Sequence, residues 1–264
     1  MSSWFNSSQK NVFFAANVNE LKKIKVGAVS YKNTKPLLYG IKRSGLIDKI
    51  ELIEDYPANI AAMLLNNEID VGLVPVAIIP KLSEAHIVTN YCIGAVKEVA
   101  SVCLFSEVEL DKIERVLLDY QSRTSVNLCK ILLKHYWKKE VEFIDGGTDF
   151  RNEIKDTTAG VVIGDRALEQ LKISAFVYDL AQSWIDFTGL PFVFAAWVAN
   201  KQLPEDFLDG FNRANGFGLK HIDEVVAENN FDAYDLKKYY TENISYNLDE
   251  NKRKGLELFL KYLD

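Results

Sequence analysis

Ser30, Tyr31, Asn33 and Thr34 crowd into the stretch VSYKNTKP, directly after the β-rich run IKVGAV. Asn33 or Thr34 is placed to N-cap a short helix in TKPLLYGIKRSG, with Pro36 in its first turn and Gly45 as its stop. Strand, polar loop and helix start, in that order, make an anion site. Unpaired N–H groups and the helix dipole favour a negative group there, by about 0.3–1 kcal/mol when exposed and about 2 when partly buried. A second such junction is SRTSVNL, where Ser122, Arg123, Thr124 and Ser125 open a helix after Asp119. Arg123 either adds a charge-assisted hydrogen bond of roughly 1.5–3 kcal/mol to a carboxylate or stands as a solvated surface charge. Ser122 and Thr124 serve equally well as plain N-caps. Pro75 and Val76 in GLVPV, and Gly164 and Asp165 in IGDRAL, mark two further strand ends. Polar helix starts in both halves of the chain suit a ligand with two anionic ends that bridges a cleft.

Those junctions need strands to aim them. IKVGAVS, KIELIEDY and the almost wholly apolar IDVGLVPVAII alternate with the helix-like TKPLLYGIKRSG and PANIAAMLLNNE. The pattern repeats after residue 114, with ERVLLDY, SRTSVNLCKILLKHYW, VEFID and AGVVIGDRAL. Alternating strands and helices predict an α/β architecture with parallel strands covered on both faces. Two such units, 24–100 and 114–180, predict two lobes with a ligand cleft between them. The stretches 101–106 and 193–199 are placed to be two crossover hinge strands. The chain then divides into an N-terminal extension, 1–22, a first lobe of 23–104 plus 197–264, and a second lobe of 105–196. Trp184, Phe187, Phe192, Phe194 and Trp197 are expected in the core and hinge, with one or two rings walling a pocket.

Composition narrows the chemistry. Hydrophobic residues make up 48% and charged residues 26%, an ordinary globular balance, and the net charge of −6 leaves no basic footprint for nucleic acid. Cys92, Cys103 and Cys129 form no CxxC pair and read as small apolar fillers. His86, His135 and His221 show no metal spacing, so no metal is expected. GxSxG, GxxxxGKS/T and GxGxxG patterns are missing, so neither a serine elbow nor a nucleotide cofactor is expected. The start, MSSWFNSSQKNVFFAANVNELKK, lacks a basic region followed by a long apolar run. A cytoplasmic protein without membrane contact is therefore expected.

The stretches VGAVSYKNTKPLLYGI, NNEIDVGLVPVAIIPKL, SVCLFS, LDYQSRTSVNLCKILLK, VVIGDRAL, TGLPFVFAAWV and NISYNLD resemble, in this order, the chorismate dehydratases of menaquinone biosynthesis by the futalosine route. The resemblance runs from about residue 24 to the C-terminus. It implies the type II periplasmic-binding-protein fold used by a cytoplasmic enzyme without cofactor. It also implies the reaction: loss of water from chorismate to give 3-(1-carboxyvinyloxy)benzoate. By resemblance, Asn33 and Ser101 stand beside the reacting ring, and Asn33 orients or polarises the leaving hydroxyl. Ser30, Tyr31 and Thr34, with Pro75 and Val76, then serve the first lobe's side of the substrate site. Ser122, Arg123, Thr124, Ser125 and Asp165 serve the second. Lys32 inside the opening motif and Cys103 in an otherwise aliphatic strand are small departures from the family pattern.

Two other activities compete. A 1,4-dihydroxy-6-naphthoate synthase of the same pathway is expected to carry a cysteine-containing SPCPNDT-type opening and a catalytic histidine, where this chain has SYKNTKP. A non-catalytic small-anion binding protein needs only the fold.

Overall fold

The computed structural model describes residues 23–148 and 150–263 of the chain, so the expected extension 1–22 lies outside the described residues. Among the described residues, eleven strands form two sheets. The first contains β1 (Ile24–Val29), β2 (Ile50–Asp55), β3 (Val71–Pro75), β4 (His86–Ala95), β10 (Phe192–Ala199) and β11 (Ser245–Asn247), in the order β11-β4-β10-β3-β1-β2. The second contains β5 (Val102–Ser106), β6 (Arg115–Leu118), β7 (Glu142–Asp145), β8 (Thr158–Ile163) and β9 (Phe176–Asp179), in the order β7-β6-β8-β5-β9. β1 runs parallel to β2 and β3, and β6 runs parallel to β7 and β8. β10 is antiparallel to β3 and β4, and β5 to β8 and β9.

The apolar runs explain which strands are central. VGLVP of β3 and TAGVVI of β8 are buried at every position, as strands covered on both faces must be. Helices α1 (Lys35–Arg43) and α2 (Pro57–Leu65) follow β1 and β2. Helices α3 (Thr124–Ile131), α4 (Asp165–Gln170) and α5 (Leu180–Thr188) follow β6, β8 and β9. The C-terminal run supplies α6 (Glu205–Leu219), α7 (Ile222–Glu228), the short α8 (Leu236–Lys238) with a π-turn at Tyr239–Asn243, and α9 (Glu250–Lys261). Of these, α6 and α9 pack on the first sheet, α6 also lies against α1, and α7 packs on α1 and α6. Among the described residues, no helix is long and apolar enough to cross a membrane.

Among the described residues, β5 pairs within the second sheet and β10 within the first. The chain passes from one sheet to the other in the links just before them, residues 96–101 and 189–191. Each link needs a left-handed residue to turn: Ala100 has φ +63° and Gly189 has φ +73°. The strand expected through VAII stops at Pro75, and Val76–Lys81 forms a 3-10 turn containing Pro80, whose missing N–H cannot serve a central strand. The three cysteines are free and buried. Of the aromatic group, Trp184 meets Phe192 edge-on at 5.4 Å in the core, and Trp197 donates its indole N–H to Asn215 at 2.9 Å.

Candidate active site

A small cavity lies between the sheets, where the carboxyl ends of β1 and β3 and the starts of α1 and α3 converge. This is the expected ligand position in open α/β sheets. Asn33, Thr34 and Tyr31 reach it from the first lobe, Ser122, Thr124 and Ser125 from the second, and Ser101 from the link between them. Leu73, Pro75, Ile93, Ile163 and Phe194 supply apolar walls. Among the described residues, none that lines it is charged. A larger groove of about 1090 Å³ opens at the amino end of β1, with Arg43, Asp48, Lys49, Asp70, Lys201 and Arg213 on its rim. Its charges are mixed and the start of α6 lines it, whereas hydroxyls and helix starts of both lobes meet at the smaller cavity, which is the candidate site.

On the first lobe, Pro36 in the opening turn of α1 fixes the backbone after the 3-10 turn Lys32–Thr34. Thr34 donates its hydroxyl to Asn33 Oδ1 at 3.1 Å, which orients the amide. The Asn33 carbonyl accepts the buried Tyr246 hydroxyl at 2.8 Å. Both ends of Asn33 are therefore held, and its NH₂ group is left to act as donor. On the second lobe, Ser122 Oγ, just ahead of α3, accepts the Ser125 N–H at 3.0 Å, which leaves the Ser122 proton available. Thr124 Oγ1 accepts the Ala77 N–H at 3.2 Å across the cleft.

Further bonds hold the lobes together. Tyr31 donates its hydroxyl to Gln121 Oε1, and the Lys32 N–H donates to Asp165 Oδ1 at 3.0 Å. Behind Gln121, Arg166 grips buried Asp119 at 2.7 and 2.9 Å and also donates to Gln121. Arg166 is thus committed to a protein carboxylate rather than to a ligand. Gly164, with φ +64°, turns β8 into α4, and a Cβ there would stand 3.0 Å from the Tyr31 ring. Only glycine fits both the conformation and the contact. Its N–H donates to the Ser101 carbonyl at 2.8 Å, fixing that residue's backbone.

Asp179 clamps the link that carries Ser101. Its carboxylate accepts the N–H groups of Val99 (2.9 Å), Ala100 (2.7 Å), Ala181 and Gln182 (3.0 Å each). Burial nevertheless pushes its pKa from the usual 3.8 up to about 6. Burial raises Asp165 in the same direction. Between those values the native state holds more protons than the unfolded chain, so this contribution to stability is full in acid and is lost as pH rises through about 6. Chemical denaturation from pH 4 to 7 should show a component falling by up to about 3 kcal/mol. Asp179→Asn should be less stable throughout, because an amide cannot accept all four N–H groups, and should lack most of that slope. An unchanged slope in the variant would remove Asp179 as its source.

Of the residues singled out from sequence, Tyr31, Asn33, Thr34, Pro75, Ser101, Ser122, Thr124 and Ser125 come together around the cavity. Ser30, Val76, Arg123 and Asp165 do not line it. Ser30 continues the β1–β2 ladder by donating its N–H to Asp55, and Val76 is buried in the 3-10 turn. Arg123 is exposed, as the solvated alternative had it, and Asp165 bonds the Lys32 backbone. Lys32 Nζ turns to the Asn230 carbonyl at 3.3 Å. Of two further neighbours of these residues, Tyr239 lies in no stretch singled out from sequence, while Tyr246 lies in NISYNLD, which only the resemblance singles out. They sit in the π-turn and in β11.

A profile of the menaquinone biosynthesis family matches residues 24–264. A chorismate dehydratase of Thermus thermophilus is 27% identical over 263 residues, covering 90% of this chain and 94% of its own. One of Campylobacter jejuni is 27% identical over 242 residues, covering 89% and 95%. Among solved structures, a protein of Archaeoglobus fulgidus shares 16% identity with a TM-score of 0.73, over 91% of this chain and 96% of its own. A Candida albicans gene product with the generic periplasmic binding protein fold shares 17% with a TM-score of 0.60, over 91% and 90%. At such identity these structures bear on the fold alone, which is the two-lobe periplasmic-binding-protein-like fold. With the family profile spanning the two lobes and the cavity between them, the chain belongs to the menaquinone biosynthesis family.

Proposed function

We propose that this protein is a chorismate dehydratase that converts chorismate to 3-(1-carboxyvinyloxy)benzoate in the cytoplasm, as a step of the futalosine route to menaquinone. The observation that carries the proposal is a neutral, hydroxyl-rich cavity with Asn33 and Ser101 on its wall, in a chain whose relatives bear that name. Helix starts and hydroxyls on both lobes suit a substrate with a carboxylate at each end.

The chemistry asks for little. The C3–H bond of chorismate breaks, its electron pair forms the new ring double bond, and the C4–O bond breaks as hydroxide departs. The ring becomes aromatic, and the C3 proton joins the hydroxide as water. The C3 proton and the C4 hydroxyl lie on one ring face, so one acceptor can take the proton and pass it on. Among the described residues, no carboxylate, imidazole or amine lines the cavity. The acceptor in this mechanism is therefore the substrate's own enolpyruvyl carboxylate. Asn33 and Ser101 hold the departing hydroxyl by hydrogen bonds, which strengthen in a water-poor site as charge develops. The space open to water centres is about 60 Å³, room for a few waters. A ring with two carboxylates enters when the lobes part, and their closure expels water around it.

A naphthoate synthase would place a histidine at the site. His86 instead pairs with Glu84, His135 packs on Tyr262 and His221 stacks on Phe217. Purified protein mixed with chorismate alone should yield the aromatic ether, followed by absorbance and mass. Tight binding of chorismate without product would make the protein a binding module instead.

A further inference from the structure

Ser101 is 1% exposed, and its side-chain oxygen accepts the hydroxyl of Tyr239 at 2.7 Å. Tyr239 is fully buried and comes from the far end of the chain, 138 residues away. It opens the π-turn, with its N–H on the Asp235 carbonyl and its own carbonyl accepting the Ile244 N–H. One-turn π segments of this kind commonly aim a side chain at a functional site. The phenol's other polar neighbour is the Asn33 side-chain amide. One tyrosine oxygen therefore stands between the two residues that face the reacting ring, although Tyr239 itself does not line the cavity.

The direction of these bonds matters. A hydroxyl has one proton to give. The Tyr239 proton goes to Ser101 Oγ, so Ser101 cannot return its own proton along the same line and must direct it elsewhere. We propose that Tyr239 is a positioning residue which fixes Ser101 as a hydrogen-bond donor toward the substrate's departing hydroxyl. Ser101 then contributes a hydrogen bond and no net proton. This rests on the dehydratase reading. Burial raises the Tyr239 phenol far above its ordinary value, which keeps the proton in place throughout the working range. The titratable groups facing it are Asp165 of α4, Tyr234, Tyr240 and Tyr246. Asp165 and Tyr240 push it further up.

The test is a double-mutant cycle on chorismate turnover with wild-type protein, Tyr239→Phe, Ser101→Ala and the double variant. Tyr239→Phe keeps the ring and removes only the donor. It should lower kcat roughly ten- to a hundredfold, with KM moved less than about threefold. Placed on Ser101→Ala, it should add less than about a twofold loss, because the group it acts through is gone. Two independent, multiplying losses, or a loss confined to KM, would make Tyr239 a packing residue and overturn the proposal. Wild-type protein supplies a check that needs no variant: the alkaline limb of kcat should stay flat through pH 10. A limb falling with an apparent pKa near 10 would overturn it as well. Wild-type protein that binds chorismate without turnover would overturn the dehydratase reading together with this one, whereas turnover with independent losses overturns only the role of Tyr239.

Discussion

Asn33→Ala should lower the turnover of chorismate by about two to three orders of magnitude, the usual cost of removing one donor aimed at a developing negative charge. The size of the effect follows from how completely the residue is held. Thr34 fixes the amide oxygen at 3.1 Å and Tyr246 fixes the main-chain carbonyl at 2.8 Å, so the NH₂ group presents one geometry to the cavity. A donor fixed in advance needs no reorganisation when the C4–O bond breaks. Alanine removes it while leaving the 3-10 turn and α1 intact, so folding should be unchanged. Asn33→Asp sharpens the test. It keeps the shape but replaces the donor with an anion in a cavity that has no cation on its wall. An anionic substrate would then be repelled as well as poorly polarised, so KM should rise along with the fall in kcat. Steady-state kinetics decide between these outcomes. If alanine retains turnover within about threefold, Asn33 is an N-cap neighbour and the leaving group is held elsewhere.

A cavity without a charged side chain has a second consequence. Binding of a dianion by hydroxyls, amides and helix starts depends on short-range geometry, and opening the lobes dismantles it. The bonds from Tyr31 to Gln121, from the Lys32 N–H to Asp165 and from the Ala77 N–H to Thr124 form only when the lobes meet. Closure and capture of the ligand are thus one event. The fold of periplasmic binding proteins supplies that event, and the proposed dehydration adds Asn33 and Ser101 to it.

What could be read from the chain follows the range of the interactions involved. The β1–α1 junction is a local affair of Pro36, a polar loop and an apolar run, so Tyr31, Asn33 and Thr34 were legible as a site. The same holds for Ser122, Thr124 and Ser125 ahead of α3. Arg123 and Asp165 share those junctions, yet one faces solvent and the other bonds a backbone amide in the opposite lobe. Which way a side chain leaves a helix start depends on the lobe across the cleft, and no local pattern encodes that. Tyr239 and Tyr246 are harder still. Their hydroxyls meet Ser101 and Asn33 across 138 and 213 residues of sequence, and even the NISYNLD stretch around Tyr246 does not say which residue it meets.

Gly218→Ala should destabilise the protein by about 2–3 kcal/mol and lower its Tm by roughly 5–10 °C. Local propensity forecasts the reverse, since alanine is worth up to about 1 kcal/mol more than glycine inside a helix. Tertiary contact decides against it. α1 and α6 cross backbone to backbone: a Cβ on Gly218 would stand 1.8 Å from the Pro36 carbonyl oxygen, and one on Gly40 would stand 1.8 Å from that of Ala214. Neither obstacle is a side chain that can swing away, so the helices must separate. Packed helices do not yield by that much without losing the apolar contacts of Leu37, Ile41 and Phe211, all fully buried. Gly45, just past the end of α1, is the control. Nothing lies within 4 Å of a Cβ there, and Gly45→Ala should change stability by less than about 0.5 kcal/mol. The damage should also reach the site, because α1 begins one residue after Thr34 and carries Asn33 with it when it moves. Thermal melts paired with kcat for the two variants separate the cases: Gly218→Ala loses on both counts and Gly45→Ala on neither. A Gly218→Ala protein as stable as wild type would mean that the helix crossing relaxes freely and does not set the position of Asn33.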